Sequence, residues 1–288
     1  SEGKIKPKTD IDTAIDKLSV ISYIGIKSAT VLVKKYGFTT VASLEKAVKV
    51  SEKKGKKEGG ITIPTPNGKT TKLTKNQRKM LGYHKKLKRL PRTFIKIFEE
   101  TTKHLIEKIY GTTGYEMVFA GSYRRGTVTS GDIDIIIKST IFTLKQFVDI
   151  LKRWGVVFDI LTLGTRDFKG LGRCPGMKNF IFRIDILFTT KEKWIPSLVH
   201  FTGNDTLNRM MRTKANELTT DSKGKKLKYG GILSQNGLFI RDSYGKSTGV
   251  RVKPDGFKTE KELFKQLGIR YLSPLSRGDS KGDNSILF

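Results

Sequence analysis

Three aspartates occupy positions where apolar strands would carry aliphatic side chains. In "GDIDIIIK", Asp132 and Asp134 alternate with Ile133, Ile135 and Ile137. In "FRIDILF", Asp185 sits between Ile184 and Ile186, two positions after Arg183. Side chains alternate along a strand, so Asp132 and Asp134 share one face while the isoleucines point to a core. Carboxylates this close on a half-buried surface repel one another, and their pKa values rise. One such acid is an ordinary solvent-facing strand residue, but three in two apolar strands ask for divalent cations, which prefer hard oxygen ligands. Three carboxylates can hold two metal ions roughly 3.5–4 Å apart, a clamp for in-line phosphoryl displacement. Such ions activate an attacking hydroxyl and neutralise charge on a leaving pyrophosphate.

A complementary phosphate-binding segment lies just upstream, in "GSYRRGTVTSG". Gly121 permits close backbone approach, Ser122 offers a hydroxyl and an N–H, and Arg125 offers a guanidinium to phosphate oxygens. Gly-Ser alone says little; followed by Asp-x-Asp and a later strand aspartate, it is specific. Downstream of "HFTG" a helix is predicted. At about 100° per residue, Asp205, Asn208, Arg209 and Arg212 form one stripe opposite Leu207, Met210, Met211 and Leu218. The polar stripe follows the turn at Gly203 and is placed to line a nucleotide pocket.

The elements that must carry these residues read as alternating helices and strands. Strands are expected at 115–121, at the quoted aspartate segment, near 156–163 and over 180–188, with a helix over 144–154. The helix "NDTLNRMMRTKANEL", short strands and a final helix near 258–267 complete the chain, and "SRGDSKGDNSILF" reads as a loose tail. Nearer the N-terminus, Ile11, Ala14, Ile15 and Leu18 form one helical face. After a glycine turn at Gly25, Ala29, Leu32, Val33 and Tyr36 form another, with Gly37 as its stop. This helix-hairpin-helix presents the amides after Gly25 to a phosphate oxygen and reads no base. "SEKKGKKEGG" reads as a flexible loop. "ITIPTPNGKTTKL" reads as a hairpin turning at Asn67-Gly68. "NGKTT" imitates the end of a P-loop, but Ile63 stands where its first glycine would be, which excludes an ATPase. A helical pattern from Leu73 to Tyr110 is interrupted by Pro91, which starts a new helix and a new domain.

Composition narrows the partner. The 288 residues carry 56 Lys plus Arg against 27 Asp plus Glu, a net charge of +29 with a pI near 10.1. A field of that size attracts polyanions through phosphate contacts and counterion release. The hydrophobic fraction is 36% and the mean hydropathy −0.36. No window approaches the roughly 18 apolar residues of a membrane span, so no membrane partner is expected. Cys174 is the one cysteine, which excludes an internal disulfide framework and a cysteine-based zinc site. Together with the absence of an apolar signal core at the start, it points to a reducing intracellular compartment.

These pieces, in this order, resemble the family X DNA polymerases, the polymerase beta-like branch of the nucleotidyltransferases. The segments that carry the likeness are "IGIKSATVLVKKYG", "LTKNQRKMLGYHKKLKRLPR", "GSYRRGTVTSGDIDIII", "FRIDILF", "HFTGNDTLNRMMR" and "FKTEKELFKQLGIRYLSP". The resemblance implies an α+β fold with a mixed-sheet nucleotidyltransferase palm. It implies a helical, thumb-like helix-hairpin-helix subdomain over 1–91, the palm over 92–192 and an α+β nucleotide-selecting subdomain over 193–288. Asp132, Asp134 and Asp185 become the ligands of two Mg²⁺ ions, replaceable by Mn²⁺, with Asp185 nearest the primer 3′-hydroxyl. Arg89, Gly121, Ser122, Arg125, Ser130 and Gly131 become triphosphate contacts. His200, Phe201, Gly203, Asp205 and Asn208 become contacts to the rest of the nucleotide. Arg183, Arg209 and Arg212 become DNA contacts, as do Gly25, Ile26, Lys27 and Ser28 at the hairpin. There the backbone carbonyls of Ser19, Ile21 and Ile24 would hold Na⁺ or K⁺. The implied partners are gapped or primed double-stranded DNA and dNTPs, bound by a monomer that fills gaps in repair.

The sequence departs from the family in places. His200 replaces the usual tyrosine of the sugar gate, and Leu187 stands where a family arginine competes for an active-site aspartate, so an arginine-relayed switch is not expected. Arg209 replaces a lysine and Asn236 a tyrosine near the templating base. The Lys/Gly-rich segments 51–72 and 219–231 lack a clear counterpart, a feature that leans towards the compact viral members. Few residues precede the hairpin, so the lyase domain of the full-length repair enzymes is not expected in this sequence. Two other functions compete: a template-independent terminal transferase using the same site, and a non-catalytic DNA-binding protein.

Overall fold

The computed structural model describes residues 8–53, 61–174 and 177–278. The chain divides into two compact units, Ser1–Leu87 and Lys88–Phe288.

The first unit is mainly helical. Helix α1 (Asp10–Ser19) starts from a capping box in which the Thr9 hydroxyl accepts the Asp12 amide and the Asp12 carboxylate accepts the Thr9 amide. It buries Ala14, Ile15 and Leu18 against α2 (Ile26–Lys34), which buries Ala29, Leu32 and Val33. The α2 run ends through Gly37, whose left-handed φ of +77° lets its N–H reach the Val33 carbonyl. Helix α3 (Val41–Lys53), absent from the sequence reading, adds Leu44, Ala47 and Val48 to this core. Strands β1 (Ile61–Pro64) and β2 (Thr70–Leu73) form the expected hairpin around Asn67-Gly68, and α4 (Lys75–Tyr83) follows. The helical pattern predicted from Leu73 to Tyr110 is therefore broken earlier than Pro91, because residues 84–89 turn out of the helix. Residues 54–60 of the expected flexible loop lie outside the described residues.

In the second unit, β3 (Leu90–Pro91) leads into α5 (Arg92–Tyr110), with Pro91 as its N-cap residue. Next come β4 (Tyr115–Phe119), the single turn α6 (Gly121–Arg124), β5 (Thr129–Ser130), β6 (Asp132–Ser139) and α7 (Leu144–Arg153). Strands β7 (Val157–Leu163), β8 (Asp167–Cys174) and β9 (Met177–Phe188) complete a five-stranded sheet of order β4-β6-β9-β8-β7. Its pairings are antiparallel except β6 with β9, so the sheet is mixed. Strand β8 was not anticipated, because Gly170, Gly172 and its cations blur the alternation. The glycines are required there: a Cβ at Gly170 would lie 2.3 Å from the Phe168 ring, and one at Gly172 2.5 Å from Phe182.

Strand parity divides the sheet as expected. Ile133, Ile135 and Ile137 of β6 and Phe182, Ile184 and Ile186 of β9 face one core with Ile95, Ile106, Phe147 and Leu151 from α5 and α7. The opposite face carries the aspartates at one end and, further along β6, Ile136. Ile136 belongs to a second core with α8 (Trp194–Thr202), α9 (Asp205–Asn216) and α10 (Glu260–Gln266). Leu207, Met211 and Ala215 are the buried stripe of α9, whereas Met210 is half-buried and Leu218 lies beyond the helix. Between α9 and α10 runs a small antiparallel sheet of β10 (Gly231–Ser234), β11 (Gly237–Arg241) and β12 (Ser247–Arg251).

The first residues of the expected loose tail are packed instead. Ser276 to Gly278 are ordered against the second core, and the Arg277 side chain is fully buried. Residues 279–288 lie outside the described residues.

Candidate active site

A cleft of 720 Å³ opens at the N-terminal ends of β5 and β6 and is closed on its far side by α8 and α9. Its lining brings together Arg89, Gly121, Ser122, Arg125, Gly131, Asp132, Asp134, His200, Phe201, Gly203, Asp205 and Asn208, residues up to 119 positions apart in sequence. Ser130, Asp185, Arg183, Arg209 and Arg212 are not among the lining residues. Thr127, Val128, Thr129 and Asn204 line the cleft as well and were missed. These four side chains are uncharged and follow no spacing that marks a site in the sequence.

Register decides which carboxylates meet. β6 runs parallel to β9 with Asp132 beside Arg183 and Asp134 beside Asp185. β8 runs antiparallel on the other side of β9 and sets Lys169 beside Asp185. Burial pushes the Asp134 carboxyl well above its ordinary range, and the negative charges of Asp132 and Asp185 push it further. Asp185 is also raised, by burial above all, against the pull of Lys169. Arg183 is ion-paired with Asp132, and Lys169 Nζ lies 3.3 Å from Asp185 Oδ2. Two cations of the chain thus sit on two of the three acids. Among the described residues, no group of three or more His, Cys, Asp or Glu is gathered for metal ligation. The donor set still fits divalent cations: three hard carboxylates on one sheet face, two of them held at raised pKa by burial first and by neighbouring carboxylate charge second.

Gly121 bears directly on Asp134. Its φ is +57°, and a Cβ on it would lie 2.0 Å from Asp134 Oδ2. The carboxylate therefore packs straight onto the glycine backbone, and the Ala120 amide donates to the Asp134 carbonyl at 2.8 Å. The glycine of "GS" accommodates the acid, a second use beside the phosphate approach for which it was singled out.

The basic residues differ in how far they are committed. Arg89 donates from Nε and Nη2 to the Thr129 hydroxyl and carbonyl, at 2.9 and 2.8 Å. Arg125 donates to the carbonyls of Gly278 and Thr202, at 2.7 and 2.6 Å, so it braces the cleft wall it lines. Ser130 is buried, and its hydroxyl has no hydrogen-bond partner among the described residues. Arg209 forms an exposed ion pair with Asp205, one turn away on α9. Arg212 lies near His200, and burial, then the Arg212 charge, depresses the His200 imidazole below its ordinary value. The His200 and Phe201 rings meet edge to face, 5.6 Å between centroids. Asn208 donates to the His200 carbonyl at 2.8 Å, and Asn204 caps α9 by accepting the Leu207 amide.

Behind the cleft an ion network joins the segments. Arg124 meets both carboxylate oxygens of Glu260 at 3.0 Å, and Arg277 Nη2 meets Glu260 Oε1 at 3.1 Å. Arg124 also donates to the Thr202 hydroxyl at 2.7 Å. Burial works against the Glu260 charge, yet the two guanidiniums hold its pKa below the ordinary value.

In the first unit, the hairpin turn differs from expectation. Gly25 has an ordinary φ of −70°, and the left-handed residue is Tyr23, at +69°. Gly25 caps α2 with no side-chain hydrogen bond, and a Cβ there would meet nothing within 4 Å. The first amides of α2, at Ile26, Lys27 and Ser28, are thus open above a bare backbone. The Ile21 carbonyl accepts the Ile24 amide at 2.8 Å, and both side chains are buried.

Comparison with known proteins fits this geometry. A family model described as DNA polymerase beta palm matches residues 89–191, and one described as DNA polymerase beta thumb matches residues 197–278. The chain belongs to the family X DNA polymerases. The thumb match falls on the C-terminal residues. DNA polymerase lambda of Rattus norvegicus is 31% identical over 57% of this chain and 29% of its own length. DNA polymerase lambda of Arabidopsis thaliana is 30% identical over 71% of this chain and 40% of its own. The chain thus spans well under half of each of these relatives. Among solved structures, the ternary P/T complex of Leishmania infantum polymerase beta shares the fold. Its TM-score is 0.69 and its identity 22%, covering 94% of this chain and all of that one. The ternary gap complex of the same polymerase gives the same TM-score at 21% identity. Polymerases of this family are metal-dependent.

Proposed function

We propose that the chain is a DNA-directed DNA polymerase that adds dNTPs to a primer 3′-hydroxyl and fills short gaps in DNA repair. The observation that carries this reading is the β6–β9 register, which sets Asp134 beside Asp185 at the mouth of a cleft containing Asp132, Ser122 and Arg89. Family membership and the net charge of +29 support it.

In this reading Asp132, Asp134 and Asp185 hold two Mg²⁺ ions, with Mn²⁺ able to substitute. When bound, the ions supply activation of the 3′-hydroxyl and neutralisation of the pyrophosphate. The protein does the positioning. Arg89, Ser122, Ser130 and the Gly131 backbone orient the triphosphate, and Arg125 stiffens the wall through its two carbonyl contacts. His200 and Phe201 face the sugar, and a depressed imidazole pKa keeps His200 neutral at physiological pH. Asp205, Asn208 and Gly203 bound the base. Arg183, released from Asp132, steadies the primer end, while Arg209 and Arg212 approach the template. The open amides of α2 hold primer-strand phosphate beside Na⁺ or K⁺ on the carbonyls of Ser19, Ile21 and Ile24.

Primer extension on gapped and open templates, with Asp185→Ala beside the unaltered chain, tests this. Incorporation that needs Mg²⁺, a template and Asp185 is expected. Equal incorporation without a template would make the chain a terminal transferase, and retained activity in Asp185→Ala would remove the carboxylates from the chemistry.

A further inference from the structure

The C-terminal residues contain an internal repeat. "DSKGK" at 221–225 recurs as "DSYGK" at 242–246, and the two turns are built alike. Asp221 Oδ1 accepts the amides of Lys223 and Lys225 at 2.8 and 2.9 Å, and Asp242 Oδ1 accepts those of Tyr244 and Lys246 at 2.9 and 2.8 Å. Gly224 and Gly245, at φ +80° and +76°, each donate to the aspartate carbonyl at 3.1 Å. Both aspartates accept amides of their own turns, and the charged and aromatic side chains these turns expose are lysines and, in the second, Tyr244. Tyr244 is 87% exposed. Lys223, Lys225, Lys226 and Lys246 are exposed and form no ion pair among the described residues.

The two turns lie at opposite ends of β12. The second leads directly into it, and the first is anchored past its other end by the Ser222 amide on the Val252 carbonyl at 3.1 Å. Between them Ser247, Thr248, Gly249 and Val250 are exposed along a sheet edge about 16 Å long, at about 3.3 Å per residue.

We infer that this edge binds an unpaired nucleic-acid strand, with a base stacked on Tyr244 and phosphates on Lys246 and the lysines of the first turn. Cations flanking a bare aromatic ring suit a chain of alternating phosphates and bases, and stacking is tolerant of sequence. An acidic peptide added to the edge as a further strand fits less well. The β11–β12 pairing is irregular between Phe239 and Arg241, and Gly249 sits at φ +79°, both of which spoil a template for strand pairing. The inference deepens the proposed function, since the template ahead of a primer is such a strand. Its binding test needs no turnover.

The full chain, without nucleotide or divalent metal, is titrated with a labelled oligothymidine and with a blunt duplex over a range of salt. Tyr244→Ala is expected to weaken single-strand binding about 5- to 100-fold and to leave duplex binding unchanged. Replacing Lys223, Lys225 and Lys226 by Ala should lower the single-strand salt slope by about 2, at about 0.7 per phosphate contact. Photocrosslinking of an iodouracil oligomer should map to Tyr244. Equal loss on strand and duplex, no loss in Tyr244→Ala, or equal competition by polyglutamate would overturn the inference. Failure here with metal-dependent incorporation intact leaves the polymerase site standing, and the reverse result leaves this edge standing.

Discussion

The second unit keeps two clusters of charged side chains out of bulk water, and their electrostatics are opposite. Burial, and after it the crowding of like charges among Asp132, Asp134 and Asp185, holds the carboxyls of Asp134 and Asp185 above their ordinary range. In the Arg124–Glu260–Arg277 network the acid is also buried, yet two guanidiniums carry its pKa below the ordinary value. The network satisfies its own charges and ties α6, α10 and the chain beyond Leu272 together. The aspartates borrow partial relief from Arg183 and Lys169 and remain short of positive charge. Buried like charges are a cost to folding, and here Asp132 and Asp134 line the cleft while Asp185 stands beside Asp134 on the paired strand.

That contrast can be broken by substitution. The largest effect is expected from Asp185→Ala or Asp134→Ala. Single-turnover incorporation should fall about 10³-fold or more, the scale of a lost metal ligand, while the melting temperature holds or rises because repulsion is removed. A parallel drop in melting temperature would show that the acids are structural. Glu260→Ala should do the reverse and cost about 3–5 kcal/mol in urea unfolding, because Arg277 is left buried and unpaired.

The same network sets a pH dependence. The native Glu260 pKa lies below its ordinary 4.5, so its stabilisation is present above pH 4.5 and is lost as the pH falls through the native value. Glu260→Gln should flatten that part of the acid-unfolding curve, and an unchanged curve would deny the network its role. Gly121→Ala is expected to cost about 1–3 kcal/mol through the left-handed backbone, and to slow incorporation by moving the Asp134 carboxylate. The smallest change is Lys169→Met. That lysine is half exposed, and its pair with Asp185 should be worth less than about 1 kcal/mol of stability by chemical denaturation.

Much of the fold was legible because its signals are local. Alternation in β6 and β9, helical spacing in α2, α7 and α9, and the stop at Gly37 each depend on residues a few positions apart. The misses have physical causes. Strand β8 uses glycines because the Phe168 and Phe182 rings fill the space above them, a reason visible only after the sheet is assembled. The turn at the hairpin drew attention to Gly25, whereas the left-handed residue is Tyr23. Arg277 read as part of a loose tail because its partner, Glu260, is 17 residues away and in another element.

By itself, the sequence determined which side chains could do chemistry and which face of each strand they share, since alternation is a property of the extended backbone. It also set the charge that selects a polyanionic partner. The tertiary structure alone decided neighbours. That Asp134 stands beside Asp185, that Arg183 answers Asp132 and Lys169 answers Asp185, and that Asp134 rests on Gly121 all follow from strand pairing and close packing across distant segments. Such contacts depend on register between strands, which no local pattern in either strand specifies.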